Sequence, residues 1–265
     1  MPADDATMSA KLAGQQVSIA YGEQRIVENL DLIVPQRRFT ALVGPNGSGK
    51  STILRALAGL MAPTKGTILL DGRSIDILST KEMAKRVGVL LQGPVAPEGL
   101  TVRDLVKQGR YPHRSLFGRW SAEHEAACED AMMLTGTTTL ADTPLERLSG
   151  GQRQRAWIAM TLAQQGEVLL LDEPTTYLDL AHQIELMNLI TKLVRDHGKT
   201  VIAVLHDLNQ AARYAEHIVM LKGGKITAAG RPEHVISEAA IADVFGVHSV
   251  IIRDPVAGTP LCVPL

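Results

Sequence analysis

The sequence predicts an α/β fold in which a buried parallel sheet is interrupted by an inserted helical subdomain. Three features predict it. Continuously apolar runs, FTALV at 39–43, VLLL at 168–171 and VIAVL at 201–205, have the length and composition of strands covered on both faces. Helical patterns separate them, as strand–helix–strand crossovers require. From about Leu100 to Arg147 the alternation lapses into helix alone, and with its flanks the insertion is placed at about 93–164.

The chain opens with MPADDATMSA, which lacks the basic start and apolar middle of a signal peptide. It reads as a flexible tail over 1–12, ahead of a single domain over 13–265. Short β-rich runs follow, QVSIA at 16–20 and NLDLIV at 29–34, and then FTALV, which ends in glycine. TILLDG (67–72) reads as strand and turn, and VGVLLQ (87–92) as another buried strand. In the insertion TVRDLVKQGR and SAEHEAACEDAMMLTG are helical, with Ser121 as N-cap and Gly136 as stop. VLLLDE (168–173) resumes the sheet. A helix over 181–196 puts Leu186, Ile190, Leu193 and Val194 on one face, and VIAVLH (201–206) follows it. KGG at 222–224 turns VML into KITAA as a hairpin, and the tail from Arg231 is too short for a further domain.

Composition excludes several classes of protein. Lys and Arg number 27 against 28 Asp and Glu, a formal charge of −1, so no overall attraction to nucleic acid or anionic lipid is expected. The two cysteines, Cys128 and Cys262, stand far apart in no metal-ligand spacing, which fits a reducing compartment. No run of eighteen apolar residues occurs, so contact with a membrane is expected to go through a partner.

The chemistry concentrates in a few places. Gly44, Pro45, Asn46, Gly47, Ser48, Gly49, Lys50 and Ser51 spell G-x-x-x-x-G-K-[ST], between an apolar strand and the helical run that continues through Thr52. Glycines let backbone N–H groups turn inward around an anion, and the helix N-terminus adds partial positive charge. Lys50 is suited to bridge terminal phosphates and Ser51 to offer a hydroxyl to Mg²⁺. VLLLDEP ends an apolar strand in two carboxylates. Strand alternation would send them to opposite sides, Asp172 to hold the metal shell and Glu173 to act as general base on water. His206 ends the apolar run VIAVL, on a strand parallel to the one carrying Asp172 and Glu173 and so within reach of the γ-phosphate edge as a catalytic residue, and Gln92 ends VGVLL, poised to sense metal or water. A second glycine pair, SGGQ at Ser149, Gly150, Gly151 and Gln152, lies a long way along the chain from the first loop.

GPNGSGKS, Gln92, LSGGQRQ, LLLDEP, Leu178-Asp179 and His206, in that order, resemble the nucleotide-binding subunit of ATP-binding-cassette (ABC) transporters from about residue 15 onward. The resemblance implies a P-loop NTPase core of RecA-like form, an antiparallel β subdomain and the inserted helical subdomain. It implies that Ser149, Gly150, Gly151 and Gln152 act in trans, capping ATP held by the phosphate loop of a second copy in a head-to-tail homodimer. Tyr21 matches the aromatic that stacks on adenine, and Leu178 with Asp179 the loop joining the two sites. Mg²⁺ is the implied metal, through Ser51, Gln92 and Asp172. Motion would pass through about Gly93 to Leu105 to an integral membrane permease, and through it to a substrate-binding protein, from the cytoplasmic face of the inner membrane. RYPHRSLFGRWS (110–121), SGGQRQRAWIAM, LDEPTTYLD, LHDLNQAARYA and DPVAGTPLCVPL look like the ATPases of bacterial iron–siderophore uptake, of the ferric enterobactin type. Haem and cobalamin importers share most of these features. Tyr177 stands where members of the family vary.

Other readings explain less. Cassette ATPases of DNA maintenance carry long coiled coils, and no sustained heptads occur. A translation-factor cassette needs two cassettes in tandem. A small-molecule kinase would use the phosphate loop and leave SGGQ without a purpose.

Overall fold

The computed structural model describes residues 10–115 and 119–265. Residues 1–9, most of the expected tail, and Leu116, Phe117 and Gly118 of the 110–121 stretch lie outside the described residues.

The larger sheet has six strands: β3 (Phe39–Val43), β6 (Val87–Leu90), β7 (Val168–Leu171), β8 (Thr200–Val204), β9 (His217–Lys222) and β10 (Lys225–Gly230). Their order is β10-β9-β3-β8-β7-β6, parallel throughout except for β10, which pairs antiparallel with β9 across the expected turn. Both faces are covered, and alternate residues of each strand enter different cores. Ala41, Leu169, Leu171, Val201 and Ala203 join one core. Leu42, Val168, Leu170, Ile202 and Val204 join the other. A parallel strand buried on both sides has to be apolar at every position, which explains the unbroken runs.

A second, antiparallel sheet comprises β1 (Ala10–Tyr21), β2 (Gln24–Pro35), β4 (Lys65–Leu70) and β5 (Arg73–Ser74), in the order β2-β1-β4-β5. Between the sheets lies α1 (Lys50–Leu57), whose Ile53, Leu54 and Leu57 share a core with Leu12, Ile19 and Leu70. After α2 (Thr80–Arg86), the interval between β6 and β7 holds α3 (Val102–Gln108), α4 (Ala122–Leu134) and α5 (Gly150–Ala163). Their starts are written in the sequence: Thr101 and Ser149 form capping boxes with Asp104 and Gln152, and Ser121 caps α4. α6 (Leu180–Arg195) and α7 (Leu208–Tyr214) cover the first core, and α8 (Pro232–Val235), α9 (Glu238–Phe245) and the hairpin β11 (Ser249–Arg253)–β12 (Pro260–Pro264) complete the chain. No helix among the described residues is long and apolar enough to cross a membrane.

Two expectations need correction. Strand β1 begins at Ala10, inside the stretch read as a tail, and Leu12 is fully buried between Val34 and Leu70. A bulge hides it: Gln16 has φ 49° and the pairing slips between Gly14 and Val17, so the period of two breaks just where the strand would be recognised. The second correction concerns the carboxylates. β7 stops at Leu171, so Asp172 and Glu173 lie beyond the strand, and alternation is not what separates them.

A charged clamp ties the antiparallel sheet to the core. The buried Lys11 ammonium donates to Asp71, 3.0 Å away, and also to Glu167 ahead of β7, while Arg86 at the end of α2 donates to Asp71. Burial pushes the Asp71 carboxyl up, but the bonds and charges of Lys11 and Arg86 outweigh it and hold it below the usual range. A carboxyl with a depressed folded-state pKa stabilises the fold above its unfolded value of about 4 and loses that contribution as pH falls through the folded value. The midpoint of urea unfolding should therefore drop on acidification from about pH 5 toward 3. Asp71→Asn should flatten part of that drop; an unchanged profile would remove Asp71 from the account.

Candidate functional site

Residues 44–49 leave β3 and curl into the start of α1. Gly49 is the N-cap with φ 96°, a left-handed backbone open to glycine, and no side chain caps the helix. The first N–H groups of α1 are therefore left for an anion. Lys50 folds back inside the loop, where its ammonium donates to the carbonyls of Gly44 (2.8 Å) and Pro45 (2.9 Å). Burial lowers its pKa, and the charges of Glu173 and Asp172 act in the opposite direction. The loop opens on a cavity of about 480 Å³ lined by residues 46–52 with Ile26, Gln92, Glu173 and His206.

Behind the loop, Ser51 Oγ donates to Asp172 Oδ1 at 2.7 Å. Asp172 is 2% exposed, and its Oδ2 is buried with no hydrogen-bond partner among the described residues. Burial, helped by Glu173, raises its pKa against the Ser51 bond and the charges of Arg55 and Lys50. An orphaned carboxylate oxygen beside a hydroxyl is a hard oxygen pair of the kind that suits a divalent cation. No cluster of three His, Cys, Asp or Glu able to hold a metal occurs among the described residues.

Glu173 is the hub. Its Oε1 lies 2.7 Å from His206 Nε2, and its Oε2 accepts from Gln92 Nε2 at 2.7 Å and Thr176 Oγ1 at 3.1 Å. Its φ of 52° is rare for a residue with a Cβ, and this turn aims the carboxylate across the end of the sheet into the phosphate cavity. Neither Thr176 nor Ile26 was singled out by sequence. Thr176 is legible in hindsight, three residues after the acid in DEPTT, whereas Ile26 reaches the cavity only through the antiparallel sheet.

Other expected residues stand apart from the loop. Tyr21 ends β1, 44% exposed, and is not among the residues lining the cavity. Ser149, Gly151 and Gln152 line neither this cavity nor the smaller one of about 190 Å³ beside it; Gly150 lines the smaller one, with Gln92, Glu173, Trp157, Tyr177 and Leu178. Ser149 accepts from Gln152 N as cap of α5. Gly151 has no room for a side chain, since a Cβ would come within 2.1 Å of His182 Cδ2. His182 in turn bonds Asp179, whose carboxylate caps α6 and is held below its usual pKa by the His182 backbone and ring. The Leu178 carbonyl accepts from Gln183 Nε2 at 3.0 Å.

A loop of this form recognises nucleotide phosphates, and a carboxylate gripped by Gln92, His206 and Thr176 stands at its mouth. Fold and site together define a nucleoside triphosphatase of the phosphate-loop class. Residues 27–176 match the family model of the ABC transporter, and the chain belongs to that family, as its ATP-binding, ATP-hydrolysing cassette. It is 52% identical to the ferric enterobactin transport ATP-binding protein FepC of Escherichia coli (strain K12), over 97% of this chain and 94% of that one. Among solved structures it is similar to a chain of an ABC transporter in an inward-facing conformation, with a TM-score of 0.85 and 26% identity over 97% of this chain and 98% of that chain. It is also similar to the dimeric bacterial ABC transporter cassette MJ0796, with a TM-score of 0.73 and 30% identity over 83% and 98% of the two chains.

Tyr177 combines φ 65° with 95% exposure, so its left-handed backbone is strained and its ring packs little within the chain. Tyr177→Asn should raise the stability of the isolated chain by about 1 kcal/mol in denaturant titration. A loss would show that the ring contributes to the fold.

Proposed function

We propose that this protein is the ATPase of a bacterial importer for a ferric siderophore of the catecholate type, working as a homodimer against membrane permease subunits served by a substrate-binding protein. The observation that carries the hydrolytic part is the grip of Gln92, His206 and Thr176 on Glu173 at the mouth of the phosphate loop. The substrate class is supported by the likeness to the ferric enterobactin transport protein over nearly the whole chain. The chain would sit at the cytoplasmic face of the inner membrane, held there by the permease through the segment from about Gly93 to Leu105.

In this reading the phosphates of ATP enter the loop of one copy, bound by the N–H groups of 46–52 and by Lys50, with Tyr21 stacked on adenine. Ser149, Gly150, Gly151 and Gln152 of the second copy close over the γ-phosphate. Support for closure in trans is that Ser149, Gly151 and Gln152 lie outside their own chain's phosphate cavity. Leu178 and Asp179 link one composite site to the other. Glu173 accepts a proton from the attacking water as its oxygen bonds to the γ-phosphorus and the bond to the ADP oxygen breaks. His206 and Gln92 hold the carboxylate in line for that transfer. Mg²⁺ would be held by Ser51, Asp172 and Gln92, and when bound it would neutralise charge on the phosphates. Catalysis is otherwise positioning and electrostatics.

Glu173→Gln should lower the hydrolysis rate of the assembled transporter about a hundredfold or more while ATP binding persists. A wild-type rate would refute the general base. Lys50→Ala should lose productive ATP binding. In a strain lacking this chain, expression of the wild type but not Glu173→Gln should restore uptake of labelled ferric catecholate. Rescue of ferric hydroxamate, haem or cobalamin instead would reassign the substrate, and no change in any of them would sink the importer reading.

A further inference from the structure

Arg110 is a fully buried arginine, the largest side chain in the structure that is under 2% exposed, and nothing in the proposed hydrolysis uses it. Its Nη1 donates to the Ala163 carbonyl (2.7 Å) and to Gln165 Oε1 (2.8 Å), and its Nε donates to His124 Nδ1 (3.3 Å). A buried guanidinium in such a place is costly unless the site needs it, and here it meets the negative end of a helix. Ala163 is the last residue of α5, where carbonyls have no partner within the helix. His113, one turn along the same segment, lies 2.7 Å by Nε2 from the next carbonyl, that of Gln164. Gly109 presses backbone to backbone on the same turn, because a Cβ there would lie 2.1 Å from the Met160 carbonyl. Three residues in five thus seat the C-terminal turn of α5. The N-terminus of that helix is Ser149-Gly150-Gly151-Gln152. Over 14 residues an α-helix is a rigid rod, so a tilt at the seated end displaces the other.

We infer that Arg110, with His113, is a positioning residue for the SGGQ turn: by seating the far end of α5 it sets where Ser149 meets ATP in the second copy. This rests on the proposed closure in trans. A defect in Arg110 should therefore appear at the partner's ATP, not at the ATP in its own loop. Lysine keeps the charge but cannot serve Ala163, Gln165 and His124 together, so Arg110→Lys is the informative change.

The test uses transporters assembled from two differently tagged chains in a Glu173→Gln background, with the release rate of labelled ATP as readout and wild type paired with Lys50→Ala as reference. In Arg110→Lys paired with Lys50→Ala, the one competent loop faces an unaltered signature helix, and release should match the reference. In wild type paired with a chain carrying both Lys50→Ala and Arg110→Lys, the competent loop faces the altered helix. Release should there be about tenfold faster. His113→Phe, a milder change, should shift the same pair about threefold. Ser149→Arg in place of Arg110→Lys is the control. If Ser149→Arg fails to give the asymmetric pattern, closure in trans is wrong and the inference falls with it. If Ser149→Arg gives the pattern while both Arg110→Lys pairs change equally, or neither changes, Arg110 serves only the fold and closure in trans stands.

Discussion

Parallel pairing of β6, β7 and β8 is the constraint on which the site depends. Leu90 is in register with Leu171, and Leu171 with Ala203, so the three strands end at nearly the same level. Gln92 follows the last residue of β6 by two positions, Glu173 that of β7, and His206 that of β8. Three side chains distant in sequence are thereby delivered to one edge of the sheet. The phosphate loop leaves β3, the next strand along, at that same edge. Strands that end together at a crevice are where open α/β sheets bind ligands, and here the crevice holds the acid, its three donors and the loop.

Charge in the crevice is balanced at some cost. Burial lowers the pKa of Lys50 and raises that of Asp172, so each is held less easily in its charged form than it would be in water. Under the proposed function different parts of one ligand would answer these environments: anionic phosphates would favour charged Lys50, and a divalent cation would favour charged Asp172.

Much of this was readable in the residues. The apolar runs of the larger sheet, the cap at Ser121 and the glycine loop between strand and helix are local signals, and the structure places each where the sequence does. What escaped was non-local. The start of β1 was masked by a bulge at Gln16, and its burial depends on Val34 and Leu70, far along the chain. The grip on Glu173 needed the register of three strands and a positive φ that an acidic residue does not advertise. Arg110 was visible only as part of a motif, since nothing in GRYPH says that its guanidinium will be buried under the end of a helix.

The sheet's two margins have a consequence for solubility. β6, at one margin, offers only four residues, and β10, at the other, alternates exposed Lys225, Thr227 and Ala229 with partly covered neighbours. Short or polar margins make poor templates for adding a foreign strand. Copies of the chain are thus steered away from fibre-like stacking through this sheet.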